Sequence, residues 1–200
     1  MRCVIIGAGG HGRVVLDILR AANLFDDYVF QDSDPEKWGT SLCGYPIVGV
    51  LQDVSVDVRI IAIGDNRTRL QRTAWSTRLI AAIHPRALYL GDTIGDGAVM
   101  AAGAIACVGT RIGKVAILNT GCIVDHECVI GNGAHICPGA KLAGHVTVGE
   151  GAFVGIGATV IQGVKIGDWA TVGAGAVVIR DVPAGATVVG CPAKPIGVYA

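Results

Sequence analysis

Along the first 85 residues the apolar positions come in short unbroken runs, separated by stretches with helical spacing. "CVIIG" (3–7) reads as a buried strand ending in glycine. Behind it Val15, Ile18, Leu19 and Ala22 recur at helical spacing, which predicts an amphipathic helix over 10–22. "YVFQD" (28–32) and "VRIIAIG" (58–64) predict a second and a third strand. "NRTRLQRTAW" (66–75) opens another helix, with Asn66 placed as its cap. Strand, helix, strand, then strand and helix again predicts a small parallel α/β sheet.

From Ile94 the rhythm becomes six-fold. Cutting the chain from Ile94 to Pro183 gives fifteen hexapeptides without an insertion, from IGDGAV through VDHECV to VIRDVP. Fourteen of the first positions are Ile, Leu, Val or Met, with Ala106 the exception, and every fifth position is Ala, Val, Thr or Cys. Such a period is the signature of a parallel β-helix. Each unit supplies one short strand and one turn, and three units close a triangular coil. The first position is expected to fill the interior and the small fifth position to fit near the corner. Glycine at the second is expected to tolerate the strained turn. Five coils at ~4.8 Å spacing make a prism roughly 24 Å tall. The predicted organisation is a Rossmann-like half domain over residues 1–85, then a β-helix with a C-terminal tail over 86–200.

Composition narrows the function classes. Hydrophobic residues reach 52 % with only 5 % aromatic, and 30 glycines suit repetitive β structure with tight turns. The 16 basic and 16 acidic residues cancel and form no basic stripe, which argues against a nucleic-acid partner. No apolar run approaches the ~18 residues of a membrane span. The apolar part of "MRCVIIGAGG" is too short for a signal peptide, so the expected compartment is the cytoplasm. Seven cysteines without a C-x-x-C pair predict free, mostly buried thiols in a reducing compartment.

"GAGGHG" places Gly7, Gly9 and Gly12 in a G-x-G-x-x-G frame between a strand and a helix, and Asp32 follows at the end of the next strand. These are features of a dinucleotide fingerprint. About 85 residues hold only half of a dinucleotide fold, so the loop suits a mononucleotide moiety, its pyrophosphate taken by N–H groups at the helix N-terminus. A glycine turn that merely packs helix on strand is the structural alternative.

The third hexapeptide position points outward, and His126 occupies it in "DHECVIGNGAHI" (125–136). Asp125 and Glu127 flank it, His135 lies half a coil on, and His145 falls one coil plus one residue away. A polar cluster on an apolar prism suggests an active site between subunits. Imidazole titrates near operating pH, and an adjacent carboxylate can fix its tautomer, which suits a general base. Cys122 and Cys128 occupy inward fifth positions and read as core rather than as nucleophiles. Zinc held by the three histidines, as in the γ-type carbonic anhydrases that use a similar prism, fits less well, because the spacing differs and those enzymes lack the glycine-loop domain. A non-catalytic nucleotide-sugar binding or scaffold protein is the alternative from another class.

With "IIGAGGHGRVV" at one end, "NTGCIVDHECVIGNGAHICPGAKLAGHVTVG" in the middle and "DVPAGATVVGCPAKPIG" after the last repeat, the whole chain resembles the bacterial nucleotide-sugar and sialic-acid acetyltransferases of the hexapeptide family. The resemblance implies a left-handed β-helix, a homotrimer with acetyl-CoA between neighbours, and no metal. It implies N-acetylation of a UDP-linked 4-amino-6-deoxy sugar by direct transfer, in cell-surface polysaccharide or glycan biosynthesis. Sialic-acid O-acetylation and GDP- or dTDP-amino sugars stay open as acceptors. By the same resemblance His126 is the base and Glu127 its partner, while His135, Gly144, Ile156 and Gln162 line the acetyl-CoA site. Gly9, Gly10, His11, Asp32, Ser33 and Gly64 would contact the nucleotide sugar. Where the family carries two successive acids after the second strand, this chain reads Asp32–Ser33, with Asp34 beyond, which leaves the base open between uridine and guanosine.

Overall fold

The computed structural model describes residues 1–49, 58–74, 76 and 78–196. The N-terminal elements are β1 (Arg2–Ile6), α1 (Gly10–Ala22), β2 (Asp27–Gln31), β3 (Ser41–Leu42), β4 (Tyr45–Val48), β5 (Val58–Ile61) and α2 (Asn66–Thr73). The sheet runs β3-β4-β2-β1-β5, parallel except for β3. Continuous apolar runs suit strands covered on both faces. On one face Cys3, Ile5, Tyr28, Phe30 and Ile60 pack against Val15, Leu16, Ile18 and Leu19 of α1. On the other, Val4, Ile6, Val29 and Ile61 meet Leu70, Leu79 and Val115. Val99, Ala101 and Ile117 belong to the first of these clusters, so the α/β half shares its core with the prism.

The sequence pattern placed α1 over the observed residues and the three strands within a few residues of theirs. It did not anticipate the hairpin of β3 and β4, which turns at Cys43 and Gly44, both at positive φ. The cap of α2 is Asp65 and not Asn66. Asp65 accepts a hydrogen bond from the Thr68 N–H at 2.8 Å, whereas Asn66 is already helical and buried. The end expected at Trp75 lies outside the described residues, as does Gly197 of the tail.

The second half is a left-handed parallel β-helix of mostly two-residue strands on three faces. First positions such as Met100, Leu118, Val124 and Ile130 and fifth positions such as Ala98, Cys122, Ala134 and Ala152 fill its interior, as the six-fold pattern requires. Thr110 is the polar exception, donating its hydroxyl to the Asp125 carbonyl at 3.1 Å. The solenoid begins earlier than Ile94, because Ala82–Ile83 already pairs in parallel with Val99–Met100. Leu88 pairs with Ile105, 17 residues on, but Thr93 pairs with Arg111, 18 on. The residue missing between them throws the first coil out of the six-fold frame.

The strained corner also sits elsewhere in the repeat than expected. Positive φ recurs at the fourth position, not the second, from Gly97 through Gly175. Second-position glycines serve close stacking instead: a Cβ at Gly113 or Gly131 would collide with the backbone of the next coil. Four fourth positions are not glycine yet keep the left-handed backbone, namely Val115 (φ 47°), Glu127 (56°), His145 (60°) and Trp169 (59°). Val115 and Trp169 share one corner with Gly133 and Gly151, and Glu127 and His145 share another with Gly109 and Gly163.

The helix α2 docks on the first of these corners. Arg69 is fully buried there, its guanidinium donating to the carbonyls of Val115, Gly133, Ile63 and Gly64 and to Asn66 Oδ1, all at 2.7–3.0 Å. Asn66 in turn donates to the Gly151 and Ala152 carbonyls. Burial lowers the Arg69 pKa to about 10, the Asp65 charge opposing, so the side chain stays cationic.

Candidate active site

The carboxyl ends of β1, β2 and β5 open into a cavity of about 220 Å³ lined by Gly7, Asp32, Ser33, Ile63, Thr68 and Arg72, among others. This is where an open parallel sheet takes its ligand. Gly12 is glycine because a Cβ would strike the Gly7 carbonyl, and Gly7 because a Cβ would press on the Ala62 carbonyl. Gly9 and Gly10 face open space, so what keeps them small is not packing inside the chain. Asp32 accepts from the Ala8 N–H at 2.8 Å, the Asp34 N–H at 3.0 Å and Lys37 Nζ at 3.2 Å. Burial pushes its carboxyl up, but these bonds outweigh it and hold the pKa below the usual value. Asp32 therefore ties the glycine loop to the segment after β2. Gly64 lines a second cavity of about 330 Å³, between the start of α2 and the prism residues Gly151, Phe153, Trp169 and Thr171.

His11, in the first turn of α1, lies over His135 of the prism with ring centroids 6.5 Å apart. Both rings are kept neutral. Burial and then the Arg69 charge lower His11 to about 4, and burial, Arg69 and His11 lower His135 to about 3. His135 Nε2 is 3.0 Å from the Asn119 amide nitrogen, while His11 Nε2 and His135 Nδ1 are buried without a partner among the described residues. Sequence spacing gave no sign that these two histidines would meet.

A second corner of the prism carries His126, Glu127, Gly144 and His145 on successive coils. The His145 N–H donates to the His126 carbonyl at 3.0 Å. Glu127 Oε2 stands 3.1 Å from His126 Nδ1 and 3.2 Å from His145 Nε2, and the two rings meet edge to face at 5.1 Å. A carboxylate only accepts, so Nδ1 carries a proton, and in the neutral ring His126 Nε2 keeps its lone pair. That nitrogen rests over Gly144, where a Cβ would collide with it. Gln162 follows one coil beyond Gly144 on the same edge, its neighbour Gly163 bonding the Gly144 carbonyl. Exposed Leu90, Val108, Ile161 and Ile179 continue this corner above and below His126. His135 does not join it but lies on the face beneath the α/β half, and Ile156 is exposed on the third corner. His145 belongs to the cluster more intimately than its spacing suggested. Its signal was a missing glycine in the fourth column.

The three histidines do not converge as a metal cage, since His135 is remote, but His126, Glu127 and His145 offer ligand atoms within 4.8 Å of one another. All seven cysteines are free. Burial pushes the Cys122 thiol up to about 12 and that of Cys128 to about 11, which leaves them inert as nucleophiles. No helix among the described residues is long and apolar enough to cross a membrane.

A family model described as the PglD N-terminal domain matches residues 2–75, and one described as bacterial transferase hexapeptide (six repeats) matches 145–180. Among solved structures, a histidine-to-asparagine variant of perosamine N-acetyltransferase from Caulobacter crescentus, in complex with CoA and GDP-perosamine, is 40% identical. It covers 99% of this chain and 98% of that one, with a TM-score of 0.91. The acetyltransferase domain of PglB from Neisseria gonorrhoeae, in complex with acetyl coenzyme A, is 37% identical over 98% of both chains, with a TM-score of 0.91. WeeI from Acinetobacter baumannii is 29% identical over 98% of this chain and 100% of that one, with a TM-score of 0.89. None of the curated proteins matches the chain.

Proposed function

The chain belongs to the nucleotide-amino-sugar N-acetyltransferases of the hexapeptide family, and from that premise we propose that His126 is the base by which it acetylates a nucleotide-linked 4-amino sugar. At the coarser level it is an acetyl-CoA-dependent N-acetyltransferase of an amino sugar. The observation that carries the mechanism is the Glu127 carboxylate 3.1 Å from His126 Nδ1, which leaves Nε2 free above Gly144. The acceptor amine attacks the thioester carbonyl carbon and passes its proton to Nε2. The tetrahedral intermediate then expels the CoA sulfur, which takes that proton back from the imidazolium. The Gly144 N–H is the candidate donor to the oxyanion.

In this reading the glycine loop holds the nucleotide diphosphate and the sugar extends towards His11 and the prism. Gly9, Gly10, Asp32, Ser33 and Gly64 frame that path, with Asp32 acting through the loop it ties down. The α/β half docks on a different corner from His126, so the substrate it holds is served by the His126 corner of a neighbouring copy. The exposed Leu90, Val108, Ile161 and Ile179 beside His126 support such burial. A homotrimer answers both needs, with His135 and Ile156 contributed to the shared acetyl-CoA groove from other faces.

The nucleotide in this reading is UDP. A GDP-amino sugar is the second reading, favoured by the 40% match to an enzyme in complex with GDP-perosamine. Incubation with acetyl-CoA and a panel of UDP-, GDP- and dTDP-amino sugars, following CoA release, decides between them. His126→Ala should lower kcat by a factor on the order of 10²–10⁴ while both substrates still bind. Near-normal turnover in that variant would remove His126 from the mechanism.

A further inference from the structure

The cluster at the His126 corner has the donor set of a zinc site as well as of a base. Zinc takes imidazole nitrogen and carboxylate oxygen at ~2.0–2.1 Å in a tetrahedron, whose edges are then roughly 3.3 Å. Two edges of such a tetrahedron already stand in the molecule: Glu127 Oε2 is 3.1 Å from His126 Nδ1 and 3.2 Å from His145 Nε2. The third, between the two ring nitrogens, is within 4.8 Å, and the more exposed His145 ring can rotate to close it while His126 stays over Gly144. Exposure of all three side chains leaves the fourth position open to water. Both Glu127 and His145 stand at left-handed backbone positions that the repeat otherwise gives to glycine, which sets them face to face on consecutive coils.

We propose that His126 Nδ1, Glu127 Oε2 and His145 Nε2 bind a zinc ion, and that the ion switches the enzyme off by changing the tautomer of His126. Without metal, the ring proton is on Nδ1, bonded to Glu127, and Nε2 can accept a proton. With zinc on Nδ1, that nitrogen's lone pair is used, and the remaining proton of the neutral ring sits on Nε2. The nitrogen over Gly144 becomes a donor and cannot take a proton from the amine. None of the three ligands comes from the glycine loop, Gly144 or Gln162, so inhibition is expected to lower kcat and leave KM for both substrates in place. Metal binding stands on geometry alone, whereas the inhibition rests on the proposed role of His126.

Titration of the intact protein with zinc chloride in a calorimeter should show one equivalent per chain. His145→Asn, which suits the left-handed backbone, and Glu127→Gln, which keeps the shape of the side chain, should each weaken that binding about ten-fold or more. Cobalt(II) in place of zinc should give only the weak visible bands of nitrogen and oxygen ligands. A thiolate charge-transfer band in the near-ultraviolet would move the metal to exposed Cys43 or Cys191 and overturn the site. Absence of stoichiometric binding, or binding unaltered in both variants, would overturn it as well. Zinc should lower wild-type kcat with KM unchanged, and EDTA should restore it. Binding without inhibition would keep the metal site but overturn the switch, and with it the assignment of His126 as base.

Discussion

Replacing Glu127 by glycine and by alanine separates the strain at the His126 corner from its proposed chemistry. Glu127 holds φ at 56° in a column where most coils place glycine. A side chain in the left-handed region costs about 1–2 kcal/mol, and glycine escapes that at the expense of ~0.5–1 kcal/mol of extra unfolded-chain entropy. The carboxylate is more than half exposed, so its contacts with the two rings add little stability. Glu127→Gly should therefore be as stable as the parent or more so, by up to about 1 kcal/mol. Glu127→Ala keeps the strained backbone and should melt below the glycine variant by roughly 2–4 °C in a chain of this size. Both lose the acceptor that fixes the Nδ1–H tautomer and the orientation of the ring, so both should lose kcat together, on the order of 10–100-fold. Thermal melts at one scan rate, alongside steady-state kinetics with saturating acetyl-CoA, measure the two effects on the same samples. A glycine variant less stable than the alanine one would refute the strain argument, and wild-type turnover in both would refute the supporting role of Glu127.

Gly10→Leu should fold normally, because a Cβ there meets nothing within 4 Å, yet should lose affinity for the nucleotide sugar and keep that for acetyl-CoA; equal effects on both ligands in a binding titration would make the loop structural. Arg69→Met leaves the Val115 and Gly133 carbonyls without their buried donor and should destabilise the protein by about 3–5 kcal/mol in urea unfolding, with a loss under 1 kcal/mol counting against its role as the staple between the halves. His11 and His135 are held neutral in the fold, with values of about 4 and 3 against 6.5 in the unfolded chain. The unfolded chain thus binds more protons below pH 6.5, and the stability these groups contribute is full above that pH and is lost progressively as pH falls towards about 4 for His11 and about 3 for His135. Melts between pH 7 and 5 should show that slope, and a His11→Asn, His135→Asn double variant should flatten it.

What was legible in the chain follows from what is local. The interior of the prism was readable because a side chain's direction depends only on its place in the hexapeptide, so Met100, Leu118 and Ala134 declare themselves without tertiary information. The α/β strands declare themselves through unbroken apolar runs, and Gly7 and Gly12 through the turn they make. The missing residue between Leu88 and Thr93 hid the first coil, because a six-fold count has no tolerance for one deletion. Asp65 against Asn66 as the cap could not be decided locally, since either side chain can accept from the first turn. The prism decided it, by requiring an amide that donates to the Gly151 and Ala152 carbonyls. The approach of His11 to His135 depends on how α1 and its sheet pack on the prism, and no spacing in the sequence encodes that.

The fourth column of the repeat carries more of this than the residues that first draw attention. Glycine there relieves a left-handed corner, so any other residue imposes strain that something else must offset. The third corner, at Gly103, Gly121, Gly139, Gly157 and Gly175, makes no exception. At the docking corner the exceptions are Val115, whose side chain is buried in the core shared with the α/β half, and Trp169, which covers Gly151 and takes the Arg67 guanidinium at 4.4 Å over its ring. Packing there offsets the strain. At the His126 corner the exceptions are Glu127 and His145, both more than half exposed, and packing offers them nothing comparable. Strain without burial is expected where a side chain is held for its chemistry, and these two are held one coil apart with His126, the proposed base, between them and Gly144. The same column thus separates the corner that joins the two halves from the corner proposed to transfer the acetyl group.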